Sequence, residues 1–247
     1  MKGILDLRKL DPSVIVFILI MAYMAISGGR FASPGDWLMN VLLTLPGIII
    51  GLAFHEFAHA YSAYRLGDDT PRLQGRVTVN PIAHIDPIGL LCIVFIGFGW
   101  GKPVMVNPMN FGQRRRDEII VSLAGVATNL VLAIVFTIIY AIFFRMAGVF
   151  ILTTPMGNNL AMIILFAIRI NLVLMVFNLI PIPPLDGFNV LSELLRIKYT
   201  DIYYKLYQNG MWILMILMIL GVVRTIINLF VNPLYAGLLS FARLLMF

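Results

Sequence analysis

The chain has 247 residues, 60% of them hydrophobic and 12% charged, with a mean hydropathy of +0.94. Soluble domains run at about 45–50% apolar and about 25% charged, so a soluble enzyme, a disordered chain and a disulfide scaffold are all excluded. Eighteen Lys and Arg against 12 Asp and Glu give +6, and in so apolar a chain this excess marks loops on one side of a membrane rather than a nucleic-acid surface. The single cysteine, Cys92, permits no internal disulfide.

Residues 14–26 form the first apolar run, preceded by Lys2, Arg8 and Lys9 and followed by no convincing small-residue cleavage site. They read as a retained span. Residues 37–66 are long enough for a tilted span with a kink at Pro46. Residues 74–80 alternate like a short strand. Residues 87–100 are apolar but short of the roughly 20 needed to cross the hydrocarbon, so they read as re-entrant. Residues 119–144, 160–182 and 211–231 reach spanning length, and 234–247, after Asn232-Pro233, are short for a full span. The expectation is an all-α polytopic membrane protein of about five to six transmembrane helices, with a short re-entrant or β segment near the active site. It is a single integral-membrane domain over 1–247, with a core at about 37–190, peripheral helices at 13–28 and 211–247, and no room for an appended soluble domain.

Positive charge tests this map, because Lys and Arg accumulate on the cytoplasmic side. With the amino terminus inside and 87–100 re-entrant, the inner segments hold Lys2, Arg8, Lys9, Arg65, Arg72, Arg76, Lys102, Arg114, Arg115, Arg116, Arg196, Lys198 and Lys205, and the outer loops hold Arg30 and Arg145. A full crossing by 87–100 would move Lys102 and the triple arginine outside and weaken the asymmetry. The triple arginine itself reads as an anchor at lipid headgroups.

His55-Glu56-Phe57-Ala58-His59 has the pattern H-E-x-x-H on a predicted helix. That spacing puts two imidazoles one turn apart on one face, within reach of one metal ion. Glu56 lies about 100° round the helix from His55, placed to reach a metal-bound water without being a ligand. Ionisable groups inside a span are costly and usually functional. Two histidines leave a catalytic zinc site one protein ligand short; His84, Asp86, Asp186 and Glu118 are the candidates for the third place. Asn129, about 16 Å into a span, reads either as a donor to a developing oxyanion or substrate backbone or as a helix-to-helix hydrogen bond. Asn171 and Asn178 share that ambiguity.

His55-Glu-Phe-Ala-His59, Ser122-Leu-Ala-Gly125 with Asn129, and Asn178-Leu-Ile-Pro-Ile-Pro-Pro-Leu-Asp-Gly187 resemble the three signature motifs of the site-two protease family of intramembrane zinc metalloproteases. The likeness covers roughly residues 40–190 in order, including Asn80-Pro81, the run from His84 to Gly89 and that from Lys102 to Pro108. It is to the compact prokaryotic type without inserted PDZ or CBS domains. It implies one Zn2+ per chain with Asp186 as third ligand, Glu56 as general base and Asn129 in the catalytic cleft. The family's proline after Ala-Gly is Val126 here, which puts the local backbone beside Asn129 in question.

On that resemblance the expected function is peptide hydrolysis within or near transmembrane segments, with single-span membrane proteins or residual signal peptides as substrates, a lipid bilayer around the chain and no nucleic-acid partner. A helical substrate must unwind before attack, and residues 74–80, with Gln74, Val77, Val79 and His84, are candidate substrate contacts through strand pairing. The expected location is a prokaryotic cytoplasmic membrane, with amino terminus and cleft facing the cytoplasm. The competing readings are a membrane zinc protease of another H-E-x-x-H family and a metal-binding transporter.

Overall fold

The computed structural model describes residues 12–29 and 31–246. The charge pattern's Lys2, Arg8, Lys9 and Arg30 lie outside the described residues. Ten helices follow in order: α1 (Pro12–Ser27), α2 (Pro34–Arg65), α3 (Thr70–Leu73), α4 (Pro81–His84), α5 (Pro87–Ile96), α6 (Arg114–Thr153), α7 (Pro155–Leu179), α8 (Asp186–Leu194), α9 (Asp201–Ile219) and α10 (Val222–Met246). Among the described residues four, α2, α6, α7 and α10, are long and apolar enough to cross a membrane.

Local chemistry sets the boundaries. Proline opens α2, α5 and α7 in the first turn, where its missing N–H is not needed. Asp86 Oδ1 accepts from the Gly89 amide at 2.8 Å and Thr154 Oγ1 from Gly157 at 3.0 Å, each satisfying a free donor at a helix start. Thr154-Pro155 also ends α6, so the chain reverses directly into α7. α9 stops at Leu220, and Gly221, at φ 74°, turns the chain into α10. The break therefore falls inside the predicted 211–231 span. Pro233 lies within α10, so residues 234–246 are the second half of a long helix instead of a separate short one.

α2, α6 and α7 pack on one another, with α10 along α6 and α7. At the α2–α7 crossing a Cβ on Gly47 would stand 2.8 Å from Ala167 Cα, so the absence of a side chain there lets the backbones meet, as small residues do between membrane helices. Ile168 and Leu172, fully buried, join Val126, Ala133, Met175, Val176 and Val231 in the core. Val131, Ile142 and Leu42 are more than half exposed and form an apolar outer surface suited to lipid.

α5 is ten residues, about 15 Å, half the hydrocarbon thickness. Its two flanks meet: Ile85 pairs antiparallel with Gly101, and the Lys102 amide donates to His84 O at 2.7 Å. The chain therefore enters and leaves this segment at one place, which is compatible with the re-entrant reading of its length. The strand expected at 74–80 does not form. The chain there turns on itself, with Arg76 N–H on Pro71 O and Thr78 N–H on Arg76 O, and the buried Arg76 guanidinium donates to Ala83 O and Lys102 O. An alternating pattern needs a neighbouring edge to become a strand, and Arg76 spends its hydrogens fastening the loop instead.

Candidate metal centre

His55 and His59 lie on the buried face of α2, one turn apart, with ring centroids 4.6 Å apart. Asp186, the first residue of α8, comes from the far side: its Oδ2 is 3.2 Å from His55 Nε2 and 3.3 Å from His59 Nε2. The two Nε2 atoms are 3.0 Å apart, and the three donor atoms lie within 4.8 Å of one another.

Hydrogen placement shows what this arrangement fits. Asn129, fully buried on α6, donates its amide hydrogens to Gly51 O at 3.1 Å and Asn171 Oδ1 at 3.0 Å. Asn171 is held the same way round by its own bond to Ala167 O at 2.9 Å. Asn129 Oδ1 therefore faces His55 Nδ1, 2.7 Å away, while Val121 O faces His59 Nδ1 at 2.7 Å. An acceptor on each Nδ1 puts the hydrogen there and leaves both Nε2 lone pairs pointing inward. The buried Asp186 Oδ2 makes no hydrogen bond, so three lone pairs converge on one point. Such a set repels itself unless a cation sits between, and two imidazoles with one carboxylate, each imidazole fixed by an outer partner, are the donors of a three-ligand catalytic zinc site.

α6 passes close beneath. A Cβ on Gly125 would lie 2.6 Å from both His55 Cε1 and His59 Nε2. The helix is regular through Val126, and its single non-helical residue is Ala147. Valine in place of the family proline thus leaves α6 straight where it carries Asn129. Glu56 is half-buried at the flank of the histidine face and accepts from the Val104 amide at 3.2 Å.

The remaining candidates lie elsewhere. His84 is fully buried with Nε2 on Thr78 O at 2.7 Å, outside the donor cluster. Asp86 caps α5. Glu118 pairs with Arg114 and Lys198. Gln74 and Val79 are exposed and Val77 half-buried, in the loop that did not become a strand. Two participants went unrecognised in sequence. Arg76 counted only as a loop charge, and its burial has no local signal. The Asn129–Asn171 pairing had one signal, two amides in apolar helices, without an indication that they meet.

A buried two-histidine, one-aspartate centre with a flanking glutamate, set among apolar helices, defines a membrane-embedded metallopeptidase. The family model described as Peptidase family M50 matches residues 43–222, and the chain belongs to that family, the site-two protease family. Over 157 residues it is 40% identical to "Putative zinc metalloprotease YwhC" of Bacillus subtilis, covering 60% of this chain and 66% of that protein. Over 229 residues it is 30% identical to "Putative zinc metalloprotease Rip2" of Mycolicibacterium smegmatis, covering 87% and 85%. "Putative zinc metalloprotease MJ0611" of Methanocaldococcus jannaschii is 42% identical over 162 residues, 66% of this chain and 75% of that one. No solved structure matches the chain significantly.

Proposed function

We propose that this protein is an intramembrane zinc endopeptidase that cuts single-span membrane proteins or residual signal peptides, with a single membrane domain over 1–247 built round the core at 37–190. The observation that carries this reading is the convergence of three lone pairs, two of them on imidazoles anchored from outside and one on the unpartnered Asp186 Oδ2, beside a glutamate. His55, His59 and Asp186 would hold a zinc ion, which when bound would supply Lewis acidity toward the scissile carbonyl and toward water.

Glu56, at the flank of the histidine face, takes a proton from the attacking water and returns it to the leaving amine. The Val104 N–H orients its carboxylate and ties it to the 102–106 stretch. Asn129 acts through His55: both its amide hydrogens are committed, so its part is to hold the ligand's tautomer and direction rather than to meet an oxyanion. Burial of His55, His59 and Asn129 keeps bulk water from the donors, and the partly exposed Asp186 side, at 16%, is where solvent and substrate arrive.

Zinc stoichiometry in detergent separates the ligands from their neighbours. Asp186→Ala is expected to fall from about one zinc per chain to under about a tenth, because a lost ligand removes the metal. His84→Ala keeps its zinc, and Asn129→Ala keeps the site but binds zinc about 10- to 100-fold more weakly, as outer-partner losses do. Full zinc in the aspartate variant with loss in His84→Ala would overturn the assignment.

The cleft and amino terminus face the cytoplasm on this reading, because α2 ends and α6 begins at the arginine-rich side. In Cys92→Ser protein, single cysteines at the exposed Gln113 and Asp201 should resist impermeant thiol reagents in intact cells and react after permeabilisation. Labelling of Gln113→Cys in intact cells would reverse the orientation.

A further inference from the structure

Away from the metal centre, four cationic side chains gather where α6 begins and α8 ends. A cavity of about 260 Å³ is lined by Arg114, Arg115, Glu193, Arg196, Lys198 and Tyr199. Its charges do not balance. Glu118 pairs with Arg114 and Lys198, and Glu193 with Lys198, so four cations meet two carboxylates and two positive charges are left over. Arg196 makes no ion pair or side-chain hydrogen bond among the described residues.

The backbone holds these groups in place. Arg115 donates from Nε to Glu193 O at 2.8 Å and from Nη2 to Leu194 O at 3.0 Å, tying α6 to the last turn of α8. Arg196 and Tyr199 both sit in the left-handed region, at φ 59° and 68°, a conformation that non-glycine residues rarely adopt. The Tyr199 ring lies 4.3 Å below the Arg114 guanidinium and 5.7 Å from Lys198 Nζ. Burial, and then the nearby Arg114, push the Lys198 ammonium down to about 8.

A cluster of tyrosines lies beside the cavity. α9 starts two residues after Tyr199 with Tyr203, Tyr204 and Tyr207, and Tyr203 stacks between Phe188 at 5.5 Å and Tyr207 at 5.8 Å. Clustered tyrosines mark the boundary between hydrocarbon and water. Arg115 is six residues, about 9 Å, before Val121 at the level of the metal centre.

We infer that this cavity binds the phosphate group of an anionic lipid headgroup. Two unmatched charges, a guanidinium free to bond bidentately and an aromatic wall at the interface fit that group, and an occupant would fasten the end of α8, whose first residue is Asp186, against α6.

The test uses the purified full chain in detergent, with the bound lipid counted by native mass spectrometry during titration with phosphatidylglycerol, phosphatidylcholine or inorganic phosphate. Wild type should retain one phosphatidylglycerol in preference to phosphatidylcholine, and inorganic phosphate at millimolar concentration should not displace it. Arg196→Gln and Arg114→Gln should each weaken retention tenfold or more at unchanged melting temperature. Arg116→Gln, equal in charge but with its guanidinium on Gln113 Oε1 outside the cavity, should change it less than twofold. Equal weakening by Arg196→Gln and Arg116→Gln would reduce the effect to diffuse surface attraction and overturn the site. Displacement by inorganic phosphate would overturn the headgroup as its ligand.

Discussion

Glu56→Gln is expected to leave zinc bound and to abolish turnover. The amide fills the volume of the carboxylate and still accepts from the Val104 amide through its oxygen, 3.2 Å away in the native geometry, so the loop across the site keeps its anchor. Glutamine cannot take a proton at neutral pH, and removing a positioned general base lowers rates by about 100- to 10,000-fold. His55, His59 and Asp186 are untouched, so zinc content stays near one per chain. Zinc and substrate cleavage should be measured on the same preparation. Near-normal cleavage would remove Glu56 from proton transfer, and retained zinc with no cleavage by wild type either would favour metal transport.

Gly125→Ala should be nearly as damaging, although no reacting group changes. The new methyl would lie 2.6 Å from His55 Cε1 and from His59 Nε2 and 2.7 Å from His55 Nδ1, well inside contact distance. The rings cannot swing away freely, because Asn129 and Val121 hold their other nitrogens at 2.7 Å. Either those bonds break or α6 moves off α2, and overpacking of this kind costs about 1–3 kcal/mol. Alanine forms helix better than glycine by about 1 kcal/mol, so weaker helix propensity cannot explain a loss. Zinc should fall below about a fifth of the wild-type content with far-ultraviolet circular dichroism unchanged. Gly112→Ala, where an added Cβ meets nothing within 4 Å, should behave as wild type. Full zinc and activity in Gly125→Ala would show that the α2–α6 contact can open enough to admit a methyl group.

The features legible in sequence are those with a short-range cause. The pairing of His55 with His59 follows from four residues making about one helical turn. The dip of α5 follows from ten apolar residues being too few to cross, and the starts of α2, α5 and α7 from proline with a neighbouring cap. Asp186 is one of four candidates by residue type, and the likeness of Pro-Pro-Leu-Asp-Gly to a family motif singles it out. Features that depend on a distant partner were misread or missed. Residues 74–80 alternate like a strand, yet no edge lies beside them and Arg76 turns inward to Ala83 and Lys102. The 211–231 run is apolar on both sides of Gly221, its polar residues Arg224, Thr225 and Asn228 all falling after it, so hydropathy does not mark the turn there. In sequence Asn129 reads either as an oxyanion donor or as a helix tie; that its two amide hydrogens go to Gly51 and Asn171, 78 and 42 residues away, is visible only in the folded chain. A side-chain amide has a direction only when its partners are known, and in this bundle those partners come from helices that meet only after the chain has folded.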